Sequence, residues 1–142
     1  MASLYVQRGL ALVAVALMMV AIESAEAQDD RFGAEEFRVS CAFCHGLNGR
    51  GSGPLAMFLT IEPADLTTIA RRNGGVFPTD AVFEIIDGRT AIATHGDRQM
   101  PAWGDRYKTE LEEKNGADDS EAAARAKIQS LVAYLETIQK NW

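Results

Sequence analysis

The stretch Cys41-Ala42-Phe43-Cys44-His45 decides how the chain is read. It holds both cysteines of the protein and one of its two histidines. The three-residue step sets two sulfurs apart on one turn, and a histidine follows at once. Two thiols so placed match two adjacent haem vinyl groups, each thiol adding to one vinyl as a thioether. The next imidazole then falls where it can ligate the iron. Three other readings compete. A thioredoxin-like redox pair wants a βαβ context, which the flanking pattern lacks. Zinc wants four ligands, and the spare histidine, His95, is fifty residues away. A structural disulfide is possible in an oxidising compartment, but across so short a step it adds little and leaves His45 unexplained.

Upstream of the motif, residues 31–40 read as a short helix with Phe32, Phe37 and Val39 facing inward. Further upstream, Leu10 to Ile22 is apolar throughout, preceded by Arg8 and followed by Ala25-Glu26-Ala27. That is the layout of a secretory signal peptide, with cleavage after Ala27. The alternative is a membrane anchor. Thirteen apolar residues reach about 20 Å as a helix, short of a hydrocarbon core of about 30 Å.

Downstream, residues 46–54 (GLNGRGSGP) hold four glycines and a proline and read as loop. A short helical piece is expected at 66–72, stopped by Asn73-Gly74-Gly75. Another runs from Thr79 to Asp87, capped by Thr79 or Asp80, with Val82, Phe83 and Ile86 on one face and Gly88 at its end. Residues 88–106 read as a long loop and 105–120 as a polar, exposed connection. The clearest helix is the last. Asp118 to Glu121 place acids at its start, and Ile128, Leu131, Val132, Leu135 and Ile138 repeat at spacings of one, three and four. The expectation is an all-α domain with long loops over residues 28–142. Loops that long are commonly organised around something.

Composition narrows the class. The 142 residues carry 14 Lys+Arg against 20 Asp+Glu, for a net charge of −6. An acidic balance argues against a nucleic-acid binder, which needs basic surface to neutralise phosphates. Removing residues 1–27 leaves 115 residues with 13 basic and 18 acidic side chains, a net −5. About 41% of those 115 are apolar, a modest core unless a bound group completes it.

A haem iron held by His45 needs a sixth ligand or an open face. The region 28–142 offers Met57, Met100 and His95. Met57 lies in a mostly apolar run, Gly53 to Leu59, and reads as core packing. Met100 stands in a loop before Pro101, Trp103 and Gly104, far enough along the chain to reach the opposite face of a porphyrin. It is the preferred distal ligand. Phe43, Leu55, Leu59, Val82, Phe83 and Ile86 are candidate walls. Trp103, Arg71, Arg72, Arg89 and His95 are candidate propionate partners.

These features resemble the class I, single-haem bacterial cytochromes c. Besides the CAFCH anchor, Gly33 and Phe37 precede Cys41 at the family's helix-crossing positions. Gly53-Pro54-Leu55 is similar to its Gly-Pro turn, and Gln99 to Gly104 to its distal Met loop. Leu131 and Tyr134 match the C-terminal helix. The resemblance implies one covalent haem c per chain, with thioethers at Cys41 and Cys44 and axial ligands His45 and Met100. It also implies that the Pro54 carbonyl accepts the Nδ1 proton of His45, and that Gly33 lets the terminal helices cross closely beside Phe37 and Tyr134. The function implied is periplasmic single-electron transfer by a monomer that is not an enzyme in itself. Its partners would be an oxidase, a bc1-type complex or a periplasmic dehydrogenase, without nucleic acid and without stable membrane insertion after cleavage. The alternative is a haem subunit of a larger dehydrogenase or oxidase complex, with 105–120 as a docking element.

Overall fold

The computed structural model describes residues 31–89, 100–115 and 119–140. Residues 1–27, expected to be a signal peptide, and His95 lie outside the described residues. Among the described residues there are helices and no strands. Helix α1 spans 31–45, α2 Ile69–Arg72, α3 Thr79–Asp87, α4 Trp103–Asn115 and α5 Ser120–Thr137. The fold is all-α, as expected from the sequence.

Helix α5 is the centre of the domain. Ala124, Ile128, Leu131, Val132 and Leu135 are buried along it, and α3 and α4 both pack against it. Helix α3 presents Val82 and Ile86 to that core and ends at Gly88, whose φ of 70° gives the left-handed C-terminal turn that glycine adopts without steric cost. Its start differs from expectation. Pro78 occupies the N-cap, and neither Thr79 nor Asp80 caps the helix with its side chain.

Helix α1 crosses α5 at Gly33. A Cβ on Gly33 would lie 2.1 Å from the Ser130 carbonyl oxygen and 2.9 Å from the Tyr134 Cβ, so only glycine permits this approach. Phe37 packs one turn on, 2% exposed, with its ring 5.3 Å from that of Tyr134. The helix runs beyond the expected 40 and carries the CAFCH motif on its last turn. Its inward side also differs from expectation: Phe32 is 53% exposed and Val39 is exposed too. The phase is set by the glycine crossing and by a π-helical turn, Phe37–Cys41, inserted in the middle. Both change which side chains face the core.

The expected exposed connection at 105–120 is instead mostly helix α4. Trp103, Tyr107 and Leu111 recur every four residues and make its inner stripe; Tyr107 is 2% exposed and Trp103 and Leu111 are half-buried. Lys108–Glu112 and Glu110–Lys114 pairs at i,i+4 support the outer side. It begins at Trp103, inside the span 88–106 expected to be loop.

An ion-pair knot ties three helices at one end. Arg89 donates to buried Asp87 at the end of α3 and to Glu121 at the start of α5, with contacts of 2.7 to 3.1 Å. Gly104, in the first turn of α4, abuts it: a Cβ there would lie 2.2 Å from Asp87 Oδ1. Arg89 is therefore committed to holding helices together rather than to a propionate.

The opposite end is stapled by Gln139. Its side-chain oxygen accepts from Ala70 N at 3.0 Å, and its Nε2 donates to Leu66 O at 2.8 Å. Lys140 N donates to Thr67 O at 2.9 Å. These bonds fix the 66–72 segment against the end of α5, and that segment continues the loop packed over the motif.

Candidate functional site

The motif lies where α1 ends. Cys41 and Cys44 are free thiols, both half-buried, and Gly46, at φ 77°, turns the chain away from the helix. Burial, helped by the negative charge of Glu36 and by Cys44, pushes the Cys41 thiol up to about 12. A thiol–disulfide catalyst needs a depressed thiol, and Cys41 is shifted the other way.

The loop after His45 is pinned to the motif by backbone bonds. Gly51 N donates to His45 O, Gly53 N to Cys44 O and Leu55 N to Phe43 O, at 2.8 to 3.0 Å. Gly53 lies so close to this turn that a Cβ there would sit 2.4 Å from the Phe43 carbonyl. The far limb returns over the same place. Leu66 N donates to Gly49 O at 2.7 Å, and a Cβ on Gly51 would lie 2.1 Å from the Pro63 carbonyl oxygen.

That return path gives His45 its partner. Nδ1 donates to the Ala64 carbonyl oxygen across 3.0 Å. The expected acceptor, Pro54, is replaced by Ala64. The backbone bonds hold the Gly53–Leu55 strip along the last turn of α1, whereas the limb through Pro63 brings its carbonyl to the ring. A carbonyl only accepts, so the proton is on Nδ1, and Nε2 is left unprotonated for coordination. Burial pushes the His45 pKa down, against a smaller upward pull from the Ala64 bond, and so favours the neutral ligand form.

These residues fit haem c. Two free thiols and a neutral, oriented imidazole share one turn. Phe43, Leu47, Met57, Phe58 and Ile61 stand exposed on this turn and its loop, apolar surface of the kind a porphyrin face suits. Met57, at 80% exposed, is not the core residue expected. Among the expected walls, Val82 and Ile86 are buried in the protein core, Leu55, Leu59 and Phe83 are half-buried, and Phe43 is exposed.

Met100 is half-buried and packs against the core just before α4. Trp103 opens α4, half-buried, its ring 5.4 Å from that of Tyr107 and 5.3 Å below the Arg106 guanidinium. Arg72 donates to the Asp65 carbonyl at 2.9 Å and to the Thr68 hydroxyl, while Arg71 is exposed.

Sequence reasoning missed one cluster behind the motif. Glu36, one turn before Cys41, accepts from the Tyr107 hydroxyl at 2.8 Å and from the Ser40 hydroxyl, and pairs with Lys127 at 3.1 Å. The only signal was an acid next to Phe37 on the inward arc of α1. Ala64 left no signal, because a backbone acceptor has no residue type.

A family model described as cytochrome c oxidase, cbb3-type, subunit III matches residues 28–115. The chain belongs to this family of c-type cytochrome domains. No curated protein and no solved structure matches it. With the motif and its geometry, the family makes this a covalent haem c site, and its chemistry is haem-based electron transfer.

Proposed function

We propose that this chain is an exported, single-haem electron carrier of the periplasm, passing electrons one at a time toward an oxidase-type complex. Cys41 and Cys44 would hold the haem covalently, and His45 and Met100 would ligate its iron. The observation that carries the reading is the His45–Ala64 bond beside two free thiols on the same turn.

The bound haem iron supplies a one-electron Fe(III)/Fe(II) couple. The chain's part is to keep its ligands in place through the change. The Ala64 carbonyl fixes the tautomer and plane of His45, and the backbone bonds from Gly51, Gly53 and Leu55 fix the turn that carries it. Met100, if it ligates the iron, would favour the reduced state, as thioether sulfur does. The apolar surface around the motif disfavours the extra charge of the oxidised state and acts in the same direction.

The test is the visible spectrum of the exported protein, followed by acid-acetone extraction. Haem that stays with the polypeptide, and a sulfur-to-iron charge-transfer band lost in Met100→Ala, are the expected results. Wild-type protein that lacks the band and binds CO rapidly when reduced overturns Met100 as ligand.

A second reading, a fixed haem subunit of a larger complex, is favoured by the subunit named in the family description. Among the described residues, no helix is long and apolar enough to cross a membrane. Size exclusion of a native extract separates the two: a free monomer supports the shuttle, and co-elution with oxidase activity supports the subunit. The net charge of −5 for residues 28–142 suits a basic docking surface, so association should slow as salt rises.

A further inference from the structure

We infer that Glu36 tunes the haem potential by its charge: its carboxylate, brought toward Cys41 by the π-helical turn and balanced by Lys127, holds the potential down.

The argument starts with helix phase. In an α-helix, residues five apart point about 140° away from each other. A π-helical turn closes its bonds from i+5 to i and so draws such residues toward one face. Here Ala42 N donates to Phe37 O across the inserted turn; Glu36 stands just before that turn and Cys41 is its last residue. Single π turns of this kind concentrate at functional sites.

Glu36 is placed with unusual care. Its side chain is only 11% exposed. Tyr107 from α4 and Ser40 from α1 donate to it, and Lys127 from α5 sits 3.1 Å away with its ammonium 4.3 Å from the Tyr107 ring centre. Glu110 shares Lys127 at 3.6 Å. Three helices thus converge on one carboxylate beside the attachment turn. The Cys41 sulfur feels that charge, which adds to burial in raising its thiol. In the haem-bearing protein the same sulfur is bonded to the porphyrin.

The direction follows from charge. The oxidised haem carries one more positive charge than the reduced haem. A nearby carboxylate favours the oxidised form and lowers the potential, and an ammonium does the reverse. Low dielectric around this cluster strengthens both effects.

The inference rests on haem attachment at Cys41 and Cys44, so covalent haem is measured first in every protein. Potentials of the holoproteins are then read by spectroelectrochemical titration at pH 7. Glu36→Gln keeps an acceptor for Tyr107 and is expected to raise the potential. Lys127→Gln is expected to lower it. Glu35→Gln, which alters only an exposed pair with Arg38, is expected to leave it unchanged.

Wild-type protein without covalent haem overturns both this inference and the function on which it rests. Haem-bearing variants with unaltered potentials overturn this one alone, as does an equal shift in Glu35→Gln. A potential that moves with a changed ligand-band spectrum also overturns it, because the effect then runs through the iron ligands. If Glu36→Gln holds no haem, the Lys127→Gln potential decides: a fall supports the inference and no change overturns it.

Discussion

The backbone of Gly33 meets the backbone of Ser130 so closely that a Cβ on the glycine would lie 2.1 Å from the Ser130 carbonyl oxygen. The obstacle is main chain in the middle of α5, which has no rotamer to change. Gly33→Ala must push α1 off α5, and Phe37 and Tyr134 lose their contact with it. A loss of about 3 kcal/mol is expected, typical of an overpacked core. Urea unfolding of the haem-bearing protein reads it. Gly74→Ala serves as comparison: nothing lies within 4 Å of its Cβ position, but its φ of +68° costs an alanine about 1 kcal/mol. Equal losses in the two variants would show that the helix crossing tolerates a methyl group.

Tyr107 ties α4 to α1 through its hydroxyl, which donates to Glu36 at 2.8 Å. Tyr107→Phe keeps the buried ring and removes that bond to a charged acceptor, for an expected loss of about 2 kcal/mol. Tyr107→Ala also empties the space of a large buried side chain, and about 4 kcal/mol is expected. Thermal unfolding should rank the two in that order. A phenylalanine variant as stable as wild type would mean that Ser40 and Lys127 alone satisfy the carboxylate.

How far the sequence foretold this molecule depends on what each feature is made of. Helices α3 and α5 carry apolar side chains at helical spacing, so Val82, Ile86, Ile128, Leu131 and Leu135 announced themselves, and Gly88 announced an end. The Gly33 crossing was legible through the family resemblance. Helix α4 was hidden because Trp103, Tyr107 and Leu111 are a thin stripe in a strongly charged segment, and two of the three are aromatics with polar handles. Phe32 misled because its apolar character suggested an inward face, while the phase of α1 obeys the glycine contact and the π turn. The motif residues Cys41, Cys44 and His45 were legible as chemistry. The Ala64 acceptor was not, since it depends on the route of a loop rather than on any side chain.

A domain that leaves Phe43, Met57, Phe58 and Ile61 exposed around its motif should depend on haem for stability. Changing both Cys41 and Cys44 to alanine removes the tether while adding little strain of its own. The expected product has markedly reduced helical circular dichroism and no cooperative melt, whereas wild type melts cooperatively and keeps its haem through acid-acetone. Full helicity and a sharp melt in the haem-free double variant would mean that the five helices are self-sufficient.

The Arg89 knot makes a pH prediction whose sign is fixed. Hydrogen bonds from Arg89 hold the Asp87 carboxyl below its ordinary 3.8 and the Glu121 carboxyl below its ordinary 4.5. The unfolded chain, with ordinary values, therefore takes up protons first as the solution is acidified. The stability these groups give is complete above their unfolded values and is lost as pH falls through the lower, folded ones. No loss is expected on the alkaline side, because both carboxylates pull the Arg89 guanidinium further above its already high range. The urea midpoint of the wild type should then drop more steeply between about pH 5 and pH 3 than that of Asp87→Asn, which starts lower at pH 7 but has one fewer such group to protonate. Glu121→Gln should flatten the acid limb less, since its carboxylate is half-exposed and screened by solvent. Parallel acid limbs in wild type and Asp87→Asn would show that the Asp87–Arg89 pair contributes nothing to acid sensitivity, and that other carboxylates, such as Asp65 beneath Thr67, govern it.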